Sequence, residues 1–187
     1  MTKADETRAR ILAAALDEFA AYGVAGARVD RIAATAGCNK NLLYVYFGSK
    51  ENLFTAVLDQ HLVRVYEDIP FTPDDLAGFA GRVFDFAMSR PELMRLLAWS
   101  TLEPSVQALQ SRIASHDAKV AALAAAQDGR RLGAEFSPAF LVTTVMSIAS
   151  SWSAASPFGP ALGPGQAPGP AELRDQVVRA VGRLTSA

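Results

Sequence analysis

The chain is poor in the residues that staple, span or catalyse. A single cysteine, Cys38, among 187 residues excludes an internal disulfide framework and any cysteine-cluster metal site. No uninterrupted apolar run reaches the roughly 18 residues of a membrane-spanning helix. The opening "MTKADETRARILAAALDEF" mixes both signs of charge and lacks the apolar stretch and cleavage site of a signal peptide. A cytoplasmic protein without a membrane partner is therefore expected. The two histidines, His61 and His116, are far apart in sequence, and no nucleophile elbow is present. The glycines of "GPALGPGQ" sit among prolines, which supply no amide donors, so they form no phosphate loop. An enzymatic reading has little to stand on, and neither a cofactor nor a metal is expected. Charge of one sign is also missing, since the formal net charge is -1. Any contact with nucleic acid must then be local. Residues 1–50 hold 7 basic and 5 acidic side chains, against 11 and 14 in the remainder, a mild asymmetry towards the N-terminus.

What is present is helical period. Half of the residues are hydrophobic and a fifth charged, enough for a real core in one medium domain or in a small domain joined to a larger one. Ile11, Leu12, Ala15, Leu16 and Phe19 recur at spacings of three and four, with Asp17 and Glu18 placed elsewhere on the wheel and Gly23 as a stop. Helices are expected over about 5–22, 29–36 and 40–47, the last after Asn39 as cap and before Gly48. Ser49 caps a fourth, to about Tyr66. Thr72, before Pro73 and two acids, starts a fifth that runs to Ser89, and Pro91 opens a sixth. A seventh covers about 105–127, an eighth runs from Ser137-Pro138 to about Ala155, and a ninth spans about 171–184. The Pro/Gly-rich stretch 157–170 reads as a connecting loop. No alternating strand pattern and no internal repeat occurs. The expected fold is all-α, with about nine helices and a natural division near residue 50.

Two short helices joined across Gly37-Cys38 have the dimensions of a helix-turn-helix, whose second helix enters the DNA major groove. Leu43 and Phe47, four apart, can face inward, which leaves Lys40, Asn41, Tyr44 and Val45 facing mostly outward and Tyr46 at the edge. Lys40 has the chemistry to donate to guanine, Asn41 to pair with adenine, and Leu42 or Val45 to meet a thymine methyl. Arg28 cannot cap the second helix as serine would, but can reach a phosphate near its N-terminus. Lys50 begins a helix, where a cation opposes the dipole, and an external anion would relieve that conflict.

The run "VDRIAATAGCNKNLLYVYFGSKENLF" resembles the DNA-binding domain of the TetR family of bacterial regulators. The resemblance rests on Ile32-Ala33, Ala36-Gly37, Leu43-Tyr44, Phe47 and Ser49-Lys50-Glu51, and with the first helix covers about residues 7–58. It implies that Tyr44 and Lys50 grip phosphates, while Lys40, Asn41, Leu42 and Val45 lie near base edges. Two positions depart from the family's pattern: Leu42 stands where threonine is common, and Arg28 where serine or threonine precedes the second helix. The resemblance further implies a helix-turn-helix domain over 1–49 and a ligand-binding and dimerisation domain over 50–187. It thus implies a homodimer on a palindromic double-stranded operator, released by a small-molecule effector.

In the larger part, Phe84, Met88, Trp99, Phe140, Met146 and Trp152 are candidates to line an effector cavity, although for any one of them an ordinary core position is the stronger reading. Arg95, His116 and Asp117 are the few candidates to orient a polar ligand, and their scarcity points to a largely apolar effector. Leu141, Val145, Ile148 and Trp152, interspersed with small residues, are candidate dimer contacts together with Leu173, Val177 and Leu184. A helical ligand-binding or scaffolding protein without DNA binding is the alternative; the lysines and Tyr44 argue against it.

Overall fold

Apolar residues that recur at three and four have one common way to share a face, and the computed structural model uses it throughout. It describes residues 2–102, 110–129, 131–159, 165 and 168–186, with side chains described except at 62–68 and 111. Among these residues are nine α-helices and no strand. They are α1 (Lys3–Gly26), α2 (Val29–Ala36), α3 (Lys40–Phe47), α4 (Lys50–Asp68), α5 (Leu76–Ser89), α6 (Pro91–Leu102), α7 (Gln110–Asp128), α8 (Pro138–Ser150) and α9 (Pro170–Thr185).

Several boundaries differ from expectation for physical reasons. α1 passes Gly23, which takes φ 65° and breaks the helical path, and one more turn follows it. α5 is not capped by Thr72. Residues Pro73–Asp75 form a short 3-10 turn, and the Asp75 side chain accepts from the Gly78 N–H at 2.8 Å. α8 stops at Ser150 rather than near Ala155. Ser150 and Ser151 turn their hydroxyls onto the carbonyls of Met146 and Ile148, the local competition by which serine weakens a helix end. The part of the seventh helix expected over 105–109 lies outside the described residues, as does much of 157–170.

The chain divides into two compact units. The first comprises Met1–Arg64 and Glu92–Leu109, the second Val65–Pro91 and Gln110–Ala187. This division by packing differs from the functional one expected at 49–50, because most of α4 and nearly all of α6 belong with the helix-turn-helix. In the first unit Ile11, Leu12, Phe19, Ile32, Leu43, Leu53, Phe54 and Leu96 are buried. Phe19 and Phe54 meet edge-on with centroids 5.1 Å apart. In the second unit, buried residues of α5, α7, α8 and α9 form one core around Phe79, Phe84, Leu123, Leu141, Val145 and Val177. α5 and α9 approach so closely that a Cβ on Gly81 would lie 3.0 Å from side-chain atoms of Arg174 and Val178. Arg174 also pairs with Asp85 at 2.8 Å.

Glu18 is the exception inside the first unit. It lies on the buried face of α1 at 9% exposure, not elsewhere on the wheel. Its Oε1 accepts from the Arg28 backbone N–H at 2.8 Å and from Arg31 Nε at 2.8 Å. Arg31 also donates to the Gly26 carbonyl at 3.2 Å and lies over the Tyr22 ring at 4.3 Å. One carboxylate thus ties the middle of α1 to the entry of α2. Burial pushes its pKa up, but the hydrogen bonds from Arg31 and from the Arg28 backbone outweigh that and hold it below the ordinary 4.5. A depressed folded pKa means a contribution fully present above pH 4.5 and lost as pH falls through the folded value. Glu18→Ala leaves the Arg28 N–H and the half-exposed Arg31 guanidinium without their acceptor and is expected to cost about 1 kcal/mol in urea unfolding at pH 7. Below pH 4.5 the difference from wild type should shrink; an unchanged unfolding midpoint at pH 7 would show that the carboxylate does not hold the entry of α2.

Candidate nucleic-acid interface

The turn between α2 and α3 is built from three residues with separate tasks. Gly37 takes the left-handed conformation, φ 64° and ψ 43°, and its N–H closes onto the carbonyls of Ala33 and Ala34. A side chain there would be strained even though open space surrounds it. Cys38 donates its backbone N–H to the Ala33 carbonyl at 3.0 Å. Asn39 caps α3, its Oδ1 accepting from the Asn41 N–H at 2.9 Å. On α3, Leu43 and Phe47 are buried. The opposite side of the helix is therefore presented outward: Lys40 and Asn41 are exposed, Tyr44 is 45% exposed and Val45 78%.

The other candidates are placed less uniformly. Leu42 is half-buried. Tyr46 is half-buried too, with its hydroxyl donating to the Ala4 carbonyl at 3.4 Å, so its ring leans on the start of α1. Arg28 is exposed, and its side chain makes no cap on α2. Lys50 is held differently from expectation. Its Nζ reaches the carbonyls of Ala25 and Ala27, each at 3.4 Å, so oxygens at the end of α1 answer the charge within the chain itself. The aromatic rings of "LYVYF" are thus divided, with Phe47 in the core, Tyr46 against α1 and Tyr44 outward.

Lys40 is also engaged. Its Nζ lies 2.9 Å from Asp30 Oδ1, and the hydrogen bond to Asp30 raises its pKa above the ordinary 10.5. Asp30, Glu18 and Arg31 were not among the expected site residues. Glu18 was findable: it stands seven residues after Ile11 and three after Ala15, in register with the apolar stripe. The Asp30–Lys40 contact joins two elements and left no periodic signal.

The residues expected to line an effector cavity fall in both units. Phe84 is in the core of the second unit, with Met146 and Trp152 packed against it. Met88 and Phe140 are exposed, the latter stacked on Phe136 with centroids 5.3 Å apart. Trp99 belongs to the first unit, where a Cβ on Gly23 would come within 2.9 Å of its ring. Arg95 is exposed, and His116 is exposed beside Asp117 at 3.3 Å. A cleft of about 470 Å³ in the first unit is lined by Asp5, Arg8, Leu12, Ala56 and Asp59 among others, and by none of the six. The dimer candidates divide by burial. Leu141, Val145, Leu173 and Val177 are 1–5% exposed within the chain's own core, and side chains so buried have no surface left for a partner. Ile148, Trp152 and Leu184 remain partly exposed.

A short helix pair joined by a left-handed glycine, with the second helix presenting Lys40, Asn41, Tyr44 and Val45 outward, defines a helix-turn-helix head. Residues 11–57 match the family model for "Bacterial regulatory proteins, tetR family", and residues 75–183 match that for "Tetracyclin repressor-like, C-terminal domain". The chain is 35% identical over 184 residues to the HTH-type transcriptional repressor SCO4008 of Streptomyces coelicolor, covering 96% of this chain and 95% of the relative. It is 32% identical over 117 residues to the HTH-type transcriptional repressor NicS of Pseudomonas putida, covering 59% and 55%. The crystal structure of a Streptomyces coelicolor protein described as a transcriptional regulator, SCO4942, superposes with a TM-score of 0.86 at 36% identity, covering 96% of this chain and 98% of that one. The chain belongs to the TetR family of bacterial regulatory proteins and is a DNA-binding regulator of transcription.

The carbonyls that hold Lys50 give it a task independent of DNA. Lys50→Met is expected to lower stability by about 1 kcal/mol without any DNA present, measured by thermal unfolding. Unchanged stability would leave the lysine with no role at the end of α1.

Proposed function

We propose that the protein is a cytoplasmic, dimeric repressor that binds a palindromic operator through α3 and is released by a small, largely apolar effector. The observation that carries the operator reading is the division of α3, with Leu43 and Phe47 turned inward and a face of donors, an amide and apolar groups left outward. In this reading Lys40, Asn41, Leu42 and Val45 lie near base edges, and Tyr44, Arg28 and Lys50 meet phosphates. Lys50 then has to be shared with the carbonyls of Ala25 and Ala27, and Tyr46 contributes by seating α3 on α1.

A dimer is supported by the composition of α8. No charged residue stands between Glu135 and Glu172, so the outward side of α8, with Phe140, Thr143 and Ser147 exposed, carries no charge that would have to be desolvated against a second copy. Partly exposed Ile148, Trp152 and Leu184 are the remaining members of the expected contact set. Two-fold symmetry explains how a short helix reaches useful affinity, because each head reads one half-site. Effector control requires that the ligand bind better to the conformation whose heads do not fit the operator. The apolar character of the effector is inferred from the scarcity of polar candidates in the second unit.

Selection of genomic fragments by the purified protein, followed by a salt titration on the best one, tests the operator reading. With about eight phosphates neutralised per dimer, log affinity should fall against log salt with a slope of roughly -7. A shallow slope with no enriched sequence would contradict the reading. On the selected fragment Asn41→Ala should lose roughly tenfold of discrimination at one base pair in each half-site. Tyr44→Phe should weaken every sequence alike; equal losses for Asn41→Ala on selected and random DNA would remove it from the base readers.

A further inference from the structure

One exposed charge on the proposed DNA face has the wrong sign for DNA. Asp30 lies in the first turn of α2, a helix end that in a helix-turn-helix runs close to the phosphate backbone. Its carboxylate holds the ammonium of Lys40 with oxygens at 2.9 and 3.2 Å, and the two side chains are 73% and 46% exposed. A pair so open to water contributes little to stability. Its consequence must then be sought in what the face binds.

Phosphates and base edges respond differently to such a pair. A phosphate carries a full charge: it is attracted to a bare ammonium and repelled by a carboxylate, so a neutral pair offers it little. A base edge carries only partial charges. An ammonium has three hydrogens, so Lys40 can keep one on Asp30 and still donate to guanine O6 or N7, while the carboxylate retains lone pairs for a cytosine amino group. The pair thus removes one cation per head from sequence-independent attraction and leaves its hydrogen-bonding capacity in place.

We propose that Asp30 is a specificity-determining residue of the DNA face, which holds Lys40 back from phosphates and so lowers affinity for arbitrary sequence more than for the operator. This rests on the reading of α3 as the recognition helix. It predicts a protein whose discrimination depends on an acid that makes overall binding weaker.

The test compares wild type, Asp30→Asn, Asp30→Glu, Lys40→Gln and the Asp30→Asn/Lys40→Gln double variant on two duplexes of equal length, the fragment selected by wild type and a random sequence. Asp30→Asn should bind the random duplex roughly tenfold tighter, with a salt slope steeper by about 2 per dimer, one extra phosphate contact for each head. The selected duplex should gain less, so the ratio of the two affinities falls. Asp30→Glu keeps the charge and should keep the wild-type ratio. In the Lys40→Gln background Asp30→Asn relieves only the repulsion between carboxylate and phosphate, so it should gain clearly less on random DNA than it does with Lys40 present, and without the steeper salt slope. An unchanged ratio in Asp30→Asn, or the same gain with and without Lys40, would overturn the inference while a discriminating wild type leaves α3 as the reading helix. A wild type that does not discriminate between the duplexes would overturn both.

Discussion

A recognition helix is useful only if its angle to the rest of the head is fixed, and in this chain one buried carboxylate supplies much of that constraint. Glu18 accepts from a backbone N–H at the entry of α2 and from the guanidinium of Arg31 one turn further on. The same guanidinium reaches back to the Gly26 carbonyl and covers Tyr22. α2 is therefore tied to α1 at its first turn by directional bonds, whereas its remaining attachment, through Ile32, Ala33 and Ala36, is apolar and non-directional. Because α3 follows α2 through only three residues, the orientation of α3 is inherited from this tie.

The last turn of α1 collects further restraints. Gly23 interrupts the helix with φ 65° and receives the ring of Trp99 from α6. The carbonyls beyond it accept from Arg31 and from Lys50 of α4. Side chains from α2, α4 and α6 thus converge on a single kinked turn. The ring of Trp99 packs on the helix that supports the DNA-reading face, at a glycine that no other residue could replace without both strain and overlap.

Legibility from sequence followed the range of the signal. α2 and α3 were bounded to the residue because their stops and caps are local: Gly37 in the left-handed region, Asn39 bonding to Asn41. The inward pair Leu43 and Phe47 followed from spacing alone. Thr72 misled because Asp75, three residues later, is the stronger acceptor for the first turn of α5. Glu18 was assigned to the wrong face because its charge was weighed above its position in the apolar register. The relations that depend on two distant elements were not readable, among them Lys50 on the carbonyls of α1 and Asp30 on Lys40. The same limit explains the dimer candidates. Periodicity finds the apolar stripe of α8 and α9, but not whether that stripe meets α5 of its own chain or a second copy; Leu141, Val145, Leu173 and Val177 meet their own core.

On the proposed DNA face Lys40 is paired with Asp30, and Lys50 keeps its charge while donating to backbone carbonyls. Arg28 and the hydroxyl of Tyr44 are left with fewer competing partners within the chain. Reading of the operator requires the outward side of α3 to lie in the major groove, and cross-linking tests this most directly. A photoreactive side chain placed at Val45, which is 78% exposed on α3, should attach to bases at two symmetric positions of the selected duplex. Retained binding with no attachment from that position, or attachment to the sugar-phosphate backbone alone, would contradict the account.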